Sequence, residues 1–123
     1  MIGKACTSVT PFYDAINKKM SYKSRPCLII GKADSQDYII LPISRITDSR
    51  RINTDYDLPM EPVDYPLLNL TQRSYIRTHK QQVVHINNIR TTIVDFRKEY
   101  EDMYLAVITK VAEFQDTVIE NAL

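Results

Sequence analysis

The chain has 123 residues, of which 44% are hydrophobic and 25% are charged, a composition typical of one soluble globular domain with a single core. The formal net charge is +1, so the protein as a whole has no bias towards nucleic acid or membrane. Only two glycines are present, which argues against the glycine-rich phosphate loops of nucleotide-binding proteins, and we expect no cofactor.

The charges are unevenly distributed along the chain. Residues 18–51 contain eight Lys and Arg against three acidic residues, an excess of five positive charges, and residues 73–90 contain four bases and no acid. Residues 95–120 contain seven acids and three bases, an excess of four negative charges. This pattern favours a polyanion bound on one face, although solvated surfaces of different sign explain it equally well.

The two cysteines and two histidines do not form a recognisable motif. Cys6 and Cys27 have neither the spacing of a metal site nor that of a disulfide framework, so we expect two small buried side chains in a reducing compartment. We expect no metal site, because His79 and His85 are not accompanied by further ligands. The first residues do not resemble a signal peptide and no apolar run approaches the roughly 20 residues of a membrane helix, so we expect a cytoplasmic protein without membrane contact.

The first half of the chain is rich in β-forming residues. Residues 4–13 predict an edge strand because Pro11 interrupts them, and residues 15–23 are polar and predict a loop or a ragged strand. Residues 25–31 and 37–44 are rich in Ile, Leu and Tyr and predict the two clearest strands.

The second half changes from strands to a helix. After residue 44 the sequence predicts a loop that contains a short strand near Tyr56 to Met60. Residues 73–89 predict one or two strands that are not fully buried. Near the end, apolar residues recur at helical spacing of three and four, namely Phe96, Tyr100, Met103, Val107, Val111, Phe114 and Val118. Tyr104, Leu105 and Ile108 widen this stripe, which favours packing of part of it against a second subunit. We therefore predict one domain over 1–123, with a small β-barrel over about 4–92 and a C-terminal helix over about 95–120.

The strands at 25–31 and 37–44 predict a hairpin with polar outer ends. If Gly31 faces Tyr38, paired residue numbers add up to 69 and Arg25 faces Ser44 on the same side of the sheet. The planar guanidinium of arginine suits a phosphate, and a serine hydroxyl adds a further hydrogen bond. The alternative is an arginine at the rim that simply hydrogen-bonds a neighbouring hydroxyl.

Three segments in this order resemble the MazF/PemK toxins of bacterial toxin–antitoxin systems: "SRPCLIIG", "YIILPIS" and "YIRTHKQQVVHINNI". The resemblance covers about residues 22–90, and the family's characteristic start is not visible in the first 20 residues. It implies an SH3-like β-barrel that forms a homodimer, cuts single-stranded RNA without a metal, and is neutralised by a cognate antitoxin protein.

The resemblance also implies a site. Arg25 corresponds to the catalytic arginine of the family's Arg-Pro motif, and Ser44 lies where the family has a catalytic threonine. The third motif departs from the family, because Gln81-Gln82 lies where an acidic residue is common. That difference leaves the usual arrangement, and therefore activity, in question.

Metal-independent RNA cleavage requires three functions: a proton acceptor for the 2′-OH, a donor to the leaving oxygen and stabilisation of the phosphorane. Arg25 and Ser44 suit the phosphorane. His79 is the candidate for proton transfer, because it titrates near neutral pH and is predicted to share a strand face with Arg77 and Gln81. His85 lies between apolar residues and is interpreted as structural. The residues expected to bind RNA are Lys23, Arg45, Arg77, Lys80 and Gln81.

Two non-enzymatic interpretations remain open. One is a toxin-like interaction module on the same barrel that binds a protein target such as gyrase, and the other is a degenerate relative that binds RNA without cutting it. The altered third motif favours the first of these, and fold alone does not separate either of them from an enzyme.

Overall fold

The computed structural model describes all 123 residues and is mainly β, with a helix at the C-terminal end. Its antiparallel sheet curls into a half-barrel, so the predicted fold class is confirmed. None of the helices combines the length and the apolar character needed to cross a membrane. The strands are β1 Ala5–Asp14, β2 Lys19–Lys32, β3 Asp37–Ser44, β4 Asp57–Met60, β5 Ser74–Arg77, β6 Gln82–His85 and β7 Ile89–Val94, followed by α1 Phe96–Glu99 and α2 Glu101–Ala122.

Strand β3, which coincides with the predicted strand at 37–44, is the branching point of the sheet. The strand order is β4-β5-β3-β2-β1-β7, and β6 pairs with β3 outside this path. One edge of β3 pairs with β2, whereas the other edge pairs with β6 over 37–40 and with β5 at Ile43 and Ser44. Because its partners change along its length, the sheet divides at the end of β3 that carries Ser44.

Strand β1 was predicted as an edge strand, and this is wrong for its first half. Residues Ala5 to Ser8 pair with β7 on one side and with β2 on the other. The pairing with β7 ends at Ser8 and Ile89, so the second half pairs with β2 alone. Pro11 lies in this second half, where β1 is an edge strand and a proline is tolerated.

Strand β2 begins at Lys19, six residues before the predicted start, so the polar segment at 15–23 is largely a strand. It pairs with β1 in one unbroken register from Ala5 opposite Leu28 to Asp14 opposite Lys19. Since β3 and β7 do not reach this far, residues 9–24 form a two-stranded ribbon that extends beyond the rest of the sheet. Residues 17–24 contain no Val, Ile or Thr, so their composition does not favour a strand, and prediction missed it for that reason.

The core and the helix fit the predicted apolar stripe. Phe96, Tyr104 and Val107 are buried in the main cluster together with residues of the sheet, and Phe114 contacts the Tyr56 ring edge-on at 5.1 Å. Towards the end of the helix the stripe leaves the core, and Val118 is 42% exposed. Cys6 and Cys27 are opposite one another, buried and not bonded, as expected, and burial raises the pKa of the Cys27 thiol to about 11.

The Val107→Ala substitution is expected to lower the free energy of unfolding by about 2 kcal/mol, because two buried methyl groups are lost from the core. Val118→Ala is the matched control, since it makes the same change of helix propensity at an exposed position and should cost less than about 0.5 kcal/mol. Urea unfolding of both variants measures the difference. Equal losses would mean that the start of the helix is not anchored by Val107.

Candidate functional site

The β2–β3 hairpin has the predicted register at its outer end and a different one near its loop. Cys27 is opposite Pro42, a pair that adds up to the predicted 69. A bulge between Ile29 and Gly31 shifts the loop side by one residue, so Gly31 faces Ile39 and its predicted pairing with Tyr38 is wrong. The bulge inserts an extra residue on one strand only and does not disturb the pairs on the side away from the loop.

Beyond the Cys27–Pro42 pair, the two strands separate and leave a cleft, which we call the β2–β3 cleft. Strand β2 continues with β1, whereas Ser44 at the end of β3 pairs with Tyr75 of β5. The cleft has two adjoining lobes of about 730 and 530 Å³. Five residues line both lobes, namely Arg25, Pro26, Ile43, Ser44 and Arg45. Arg25 and Ser44 therefore line the same cleft, but the predicted direct pairing across the hairpin is absent, because the pairing of β2 with β3 ends at Cys27 and Pro42.

The β2–β3 cleft is basic and rich in hydroxyl groups. Six bases and no acid line it, namely Lys23, Arg25, Arg45, Arg51, Arg77 and Lys80. All of these except Arg77 are free of ion pairs within the chain. The hydroxyl groups come from Thr7, Ser8, Thr10, Ser24, Ser44, Thr71 and Ser74. Uncompensated positive charge beside hydroxyl donors is suited to phosphate groups.

Most of the predicted RNA-binding residues lie in this cleft. Lys23, Arg45, Arg77 and Lys80 line it, but Gln81 does not, and Gln82 takes its place. The difference follows from the start of β6 at Gln82, which pairs with Ile40 beside the cleft. Arg51, the last residue of a short 3-10 helix after β3, also lines the smaller lobe.

Arg77 has a structural partner that reduces its availability to a ligand. Its Nε donates to Oδ1 of Asp57 at 3.0 Å, and its Nη2 lies 3.4 Å from Oδ2. The Asp57 side chain is completely buried and also accepts the Asn53 N–H at 2.8 Å. Arg77 thus compensates a buried carboxylate at the edge of the cleft.

His79 is not in the cleft, and its predicted position on a strand face is wrong. Strand β5 ends at Arg77, and His79 lies in the turn that follows. The Thr78 hydroxyl and N–H donate to the Tyr56 carbonyl at 2.6 and 3.2 Å, which fixes this turn against the start of β4. The imidazole lies 6.0 Å from both the Tyr56 and Phe114 rings, measured between centroids, and thus faces α2.

His79 is therefore separated from Arg25 and Ser44, and its contacts suggest a role in packing. Its side chain is 10% exposed, and Nδ1 is buried, without a hydrogen bond, 3.7 Å from Oδ1 of Asp57. His85 fits its structural interpretation, since its Nδ1 accepts the Asn87 N–H at 3.0 Å.

The environment of His79 predicts that acid destabilises the fold. Burial lowers the pKa of His79, and this outweighs the opposing effect of the Asp57 carboxylate; the Arg77 and Lys80 charges lower it further. In the unfolded chain the imidazole binds a proton at a higher pH than in the native state. We therefore expect the stabilising contribution of neutral His79 to be complete above pH 6.5 and to be lost as the pH falls through its lowered native pKa.

Unfolding by urea at a series of pH values between 7 and 5 tests this effect. The His79→Gln variant retains a polar side chain but does not titrate, so its stability should fall less steeply with acid than that of the wild type. His85→Gln is the control for a histidine that lies elsewhere. Parallel pH profiles for the wild type and His79→Gln would contradict the assignment.

The cleft draws on parts of the chain that no local motif connects. Ser8 and Thr10 come from β1, and Ser74 from β5. These are ordinary strand residues in the sequence, and only the sheet order places them beside Arg25. The alternation along β1 could have indicated which of its side chains share a face, but not which strand would lie opposite.

Chemically, the cleft offers fixed positive charge and hydroxyl donors. Neither histidine nor a carboxylate lines it, so the cleft has no imidazole or carboxylate side chain that could accept a proton. The chain contains no group of three His, Cys, Asp or Glu residues placed to hold a metal ion. Neither a protein-family model nor a curated protein matches this chain.

Proposed function

We propose that the protein is a metal-independent endoribonuclease of the MazF/PemK type, a toxin that cleaves single-stranded RNA and is neutralised by a cognate antitoxin. The main observation in support is that Arg25 and Ser44 share a basic cleft without any acidic residue. The reaction class is suggested by the resemblance of three strand segments to that family, and with it we propose a homodimer.

In the proposed reaction, the 2′-OH of the substrate attacks the adjacent phosphorus, and the bond from phosphorus to the 5′-oxygen breaks. The products are a 2′,3′-cyclic phosphate and a 5′-hydroxyl, and no co-reactant is consumed. The Arg25 guanidinium stabilises the charge that develops on the phosphorane oxygens, and Ser44 donates a hydrogen bond to one of them. Protons are exchanged with solvent water, because no histidine or carboxylate lines the cleft.

The exposed position of Arg25 fits this role. Its side chain is exposed and has no hydrogen bond or ion pair within the chain, so its donors are free for a phosphate. Ser44 is held by the pairing of β3 with β5 and is half-buried. A fixed hydroxyl beside a free guanidinium is an arrangement suited to orienting one phosphodiester.

Incubation of the purified protein with a long single-stranded RNA in the presence of EDTA tests the proposal. Discrete fragments that persist with EDTA are the expected result. A duplex of the same sequence serves as a control, since the proposed substrate is single-stranded. Intact RNA, whether bound or not, would contradict the proposal.

A second candidate is an RNA-binding module without catalysis. It is favoured by one observation, the lack of a proton acceptor among the side chains that line the cleft. Under this alternative, the same incubation would give retarded RNA in a native gel but no fragments.

A further inference from the structure

The ribbon formed by residues 9–24 has two chemically different faces. The pairing of β1 with β2 is uninterrupted, so opposed residues share a face and successive residues alternate between faces. One face is polar and basic and carries Thr10, Phe12, Asp14, Lys19, Ser21 and Lys23. The other, which we call the aromatic ribbon face, carries Pro11, Tyr13, Met20 and Tyr22.

The aromatic ribbon face is open to solvent. Tyr22 is 70% exposed, Tyr13 61% and Met20 58%, and neither tyrosine hydroxyl makes a hydrogen bond. Single exposed apolar residues are common on protein surfaces, but here they are concentrated on one side of a projecting ribbon. Such a surface is suited to binding a ligand.

This face leads directly into the β2–β3 cleft. Ser24 and Thr7, which lie on the same side of the ribbon, line the larger lobe of the cleft, together with Lys23 and Arg25. Tyr22 precedes Arg25 by three residues, about 10 Å along an extended strand, so the two side chains leave opposite faces of β2, but Arg25 and Lys23 both line the larger lobe that the aromatic ribbon face adjoins. A nucleic acid strand held at Arg25 is therefore within reach of the aromatic ribbon face.

The two tyrosines are placed to receive neighbouring bases. Tyr13 is opposite Met20, so Tyr22 is its diagonal neighbour on the same face, and such neighbours are about 7–8 Å apart. Aromatic side chains beside a basic groove are a common means of binding single-stranded nucleic acids, because every base can stack on them.

We infer that the aromatic ribbon face stacks unpaired bases of a single-stranded RNA whose phosphates bind Lys23 and Arg25. This inference rests on the proposed function and extends its site from the cleft to the ribbon. The charges beside this face favour RNA as its occupant, because Lys23, Arg25 and Arg45 line the adjoining larger lobe of the cleft and no acidic residue does.

The test uses a short 2′-fluoro RNA oligonucleotide, which lacks the attacking hydroxyl and stays intact, with binding followed by fluorescence anisotropy. Tyr22→Ala and Tyr13→Ala are each expected to weaken binding about tenfold, whereas the corresponding phenylalanine variants should bind like the wild type. Lys23→Ala should instead reduce the salt dependence of binding. The slope of the logarithm of the binding constant against the logarithm of the salt concentration should be smaller in magnitude by about 0.7. Ile16→Ala is the matched control, since Ile16 is 91% exposed in the turn of the same ribbon.

The outcomes separate this inference from the proposed function. If the wild type binds the oligonucleotide and the tyrosine-to-alanine variants bind equally well, base stacking is refuted while the cleft remains a binding site. If these variants change the sedimentation of the free protein from dimer to monomer, the ribbon face is a subunit contact and the inference is overturned. If the wild type neither binds nor cleaves RNA, the proposed function fails, and the inference fails with it.

Discussion

Arg25→Ala is expected to reduce RNA cleavage by at least about 100-fold, the effect typical of removing one donor to a charged transition state. The guanidinium lines both lobes of the β2–β3 cleft. Because the side chain is exposed and makes no hydrogen bond or ion pair within the chain, the melting temperature should stay within a few degrees of the wild type. The measurement is the rate of cleavage of a single-stranded RNA, together with thermal unfolding of both proteins.

Two further variants sharpen this experiment. Arg25→Lys keeps the charge but loses the planar pair of donors, so it should remain well below the wild type in rate. Arg50→Ala removes an exposed arginine that pairs with Asp48 outside the cleft, and it should cleave normally. Full activity of a folded Arg25→Ala protein would rule out the assigned site.

Asp57→Ala is expected to destabilise the fold by about 3–5 kcal/mol, because it breaks a buried ion pair and leaves charge without its partner. The carboxylate is completely buried and accepts hydrogen bonds from Arg77 and from the Asn53 N–H. It also lies beside the buried His79 Nδ1. Urea unfolding measures the loss.

Asp55→Ala is the matched control, since Asp55 is an exposed acid two residues earlier in the same loop and should cost less than about 0.5 kcal/mol. Arg77→Ala should lower the free energy of unfolding by nearly as much as Asp57→Ala, because it leaves the same carboxylate buried and unpaired. A loss no larger than that of Asp55→Ala would show that water replaces both partners and that the pair is not structurally important.

The hairpin and the helix were predictable because their patterns are local. Strand β3 has a continuous apolar run, and the stripe from Phe96 to Phe114 repeats with helical spacing, so each element could be identified from its own residues. The pairing of Cys27 with Pro42 follows from the same register argument. That register argument was sufficient to predict that Arg25 lies near Ser44.

The remaining errors have non-local causes. The bulge before Gly31 depends on packing between strands, and the ribbon has no apolar face in contact with a core, so neither gives a clear signal in the sequence. His79 was placed on a strand because its neighbours alternate, but the hydrogen bonds of Thr78 to Tyr56 impose a turn there. Nothing within residues 73–89 shows that the partner of this turn lies more than 20 positions earlier.

The most direct test of the β2–β3 cleft as an RNA-cleaving site is an analysis of the fragment ends after cleavage in EDTA. Once a cut has been mapped, the same oligonucleotide is prepared with one 2′-deoxy nucleotide at the cut position. The expected result is a 2′,3′-cyclic phosphate and a 5′-hydroxyl at the cut, no cleavage of the 2′-deoxy substrate and no products from Arg25→Ala. Cleavage of the 2′-deoxy substrate at the same bond, or equal cleavage by Arg25→Ala, would contradict attack by the 2′-OH in a site centred on Arg25.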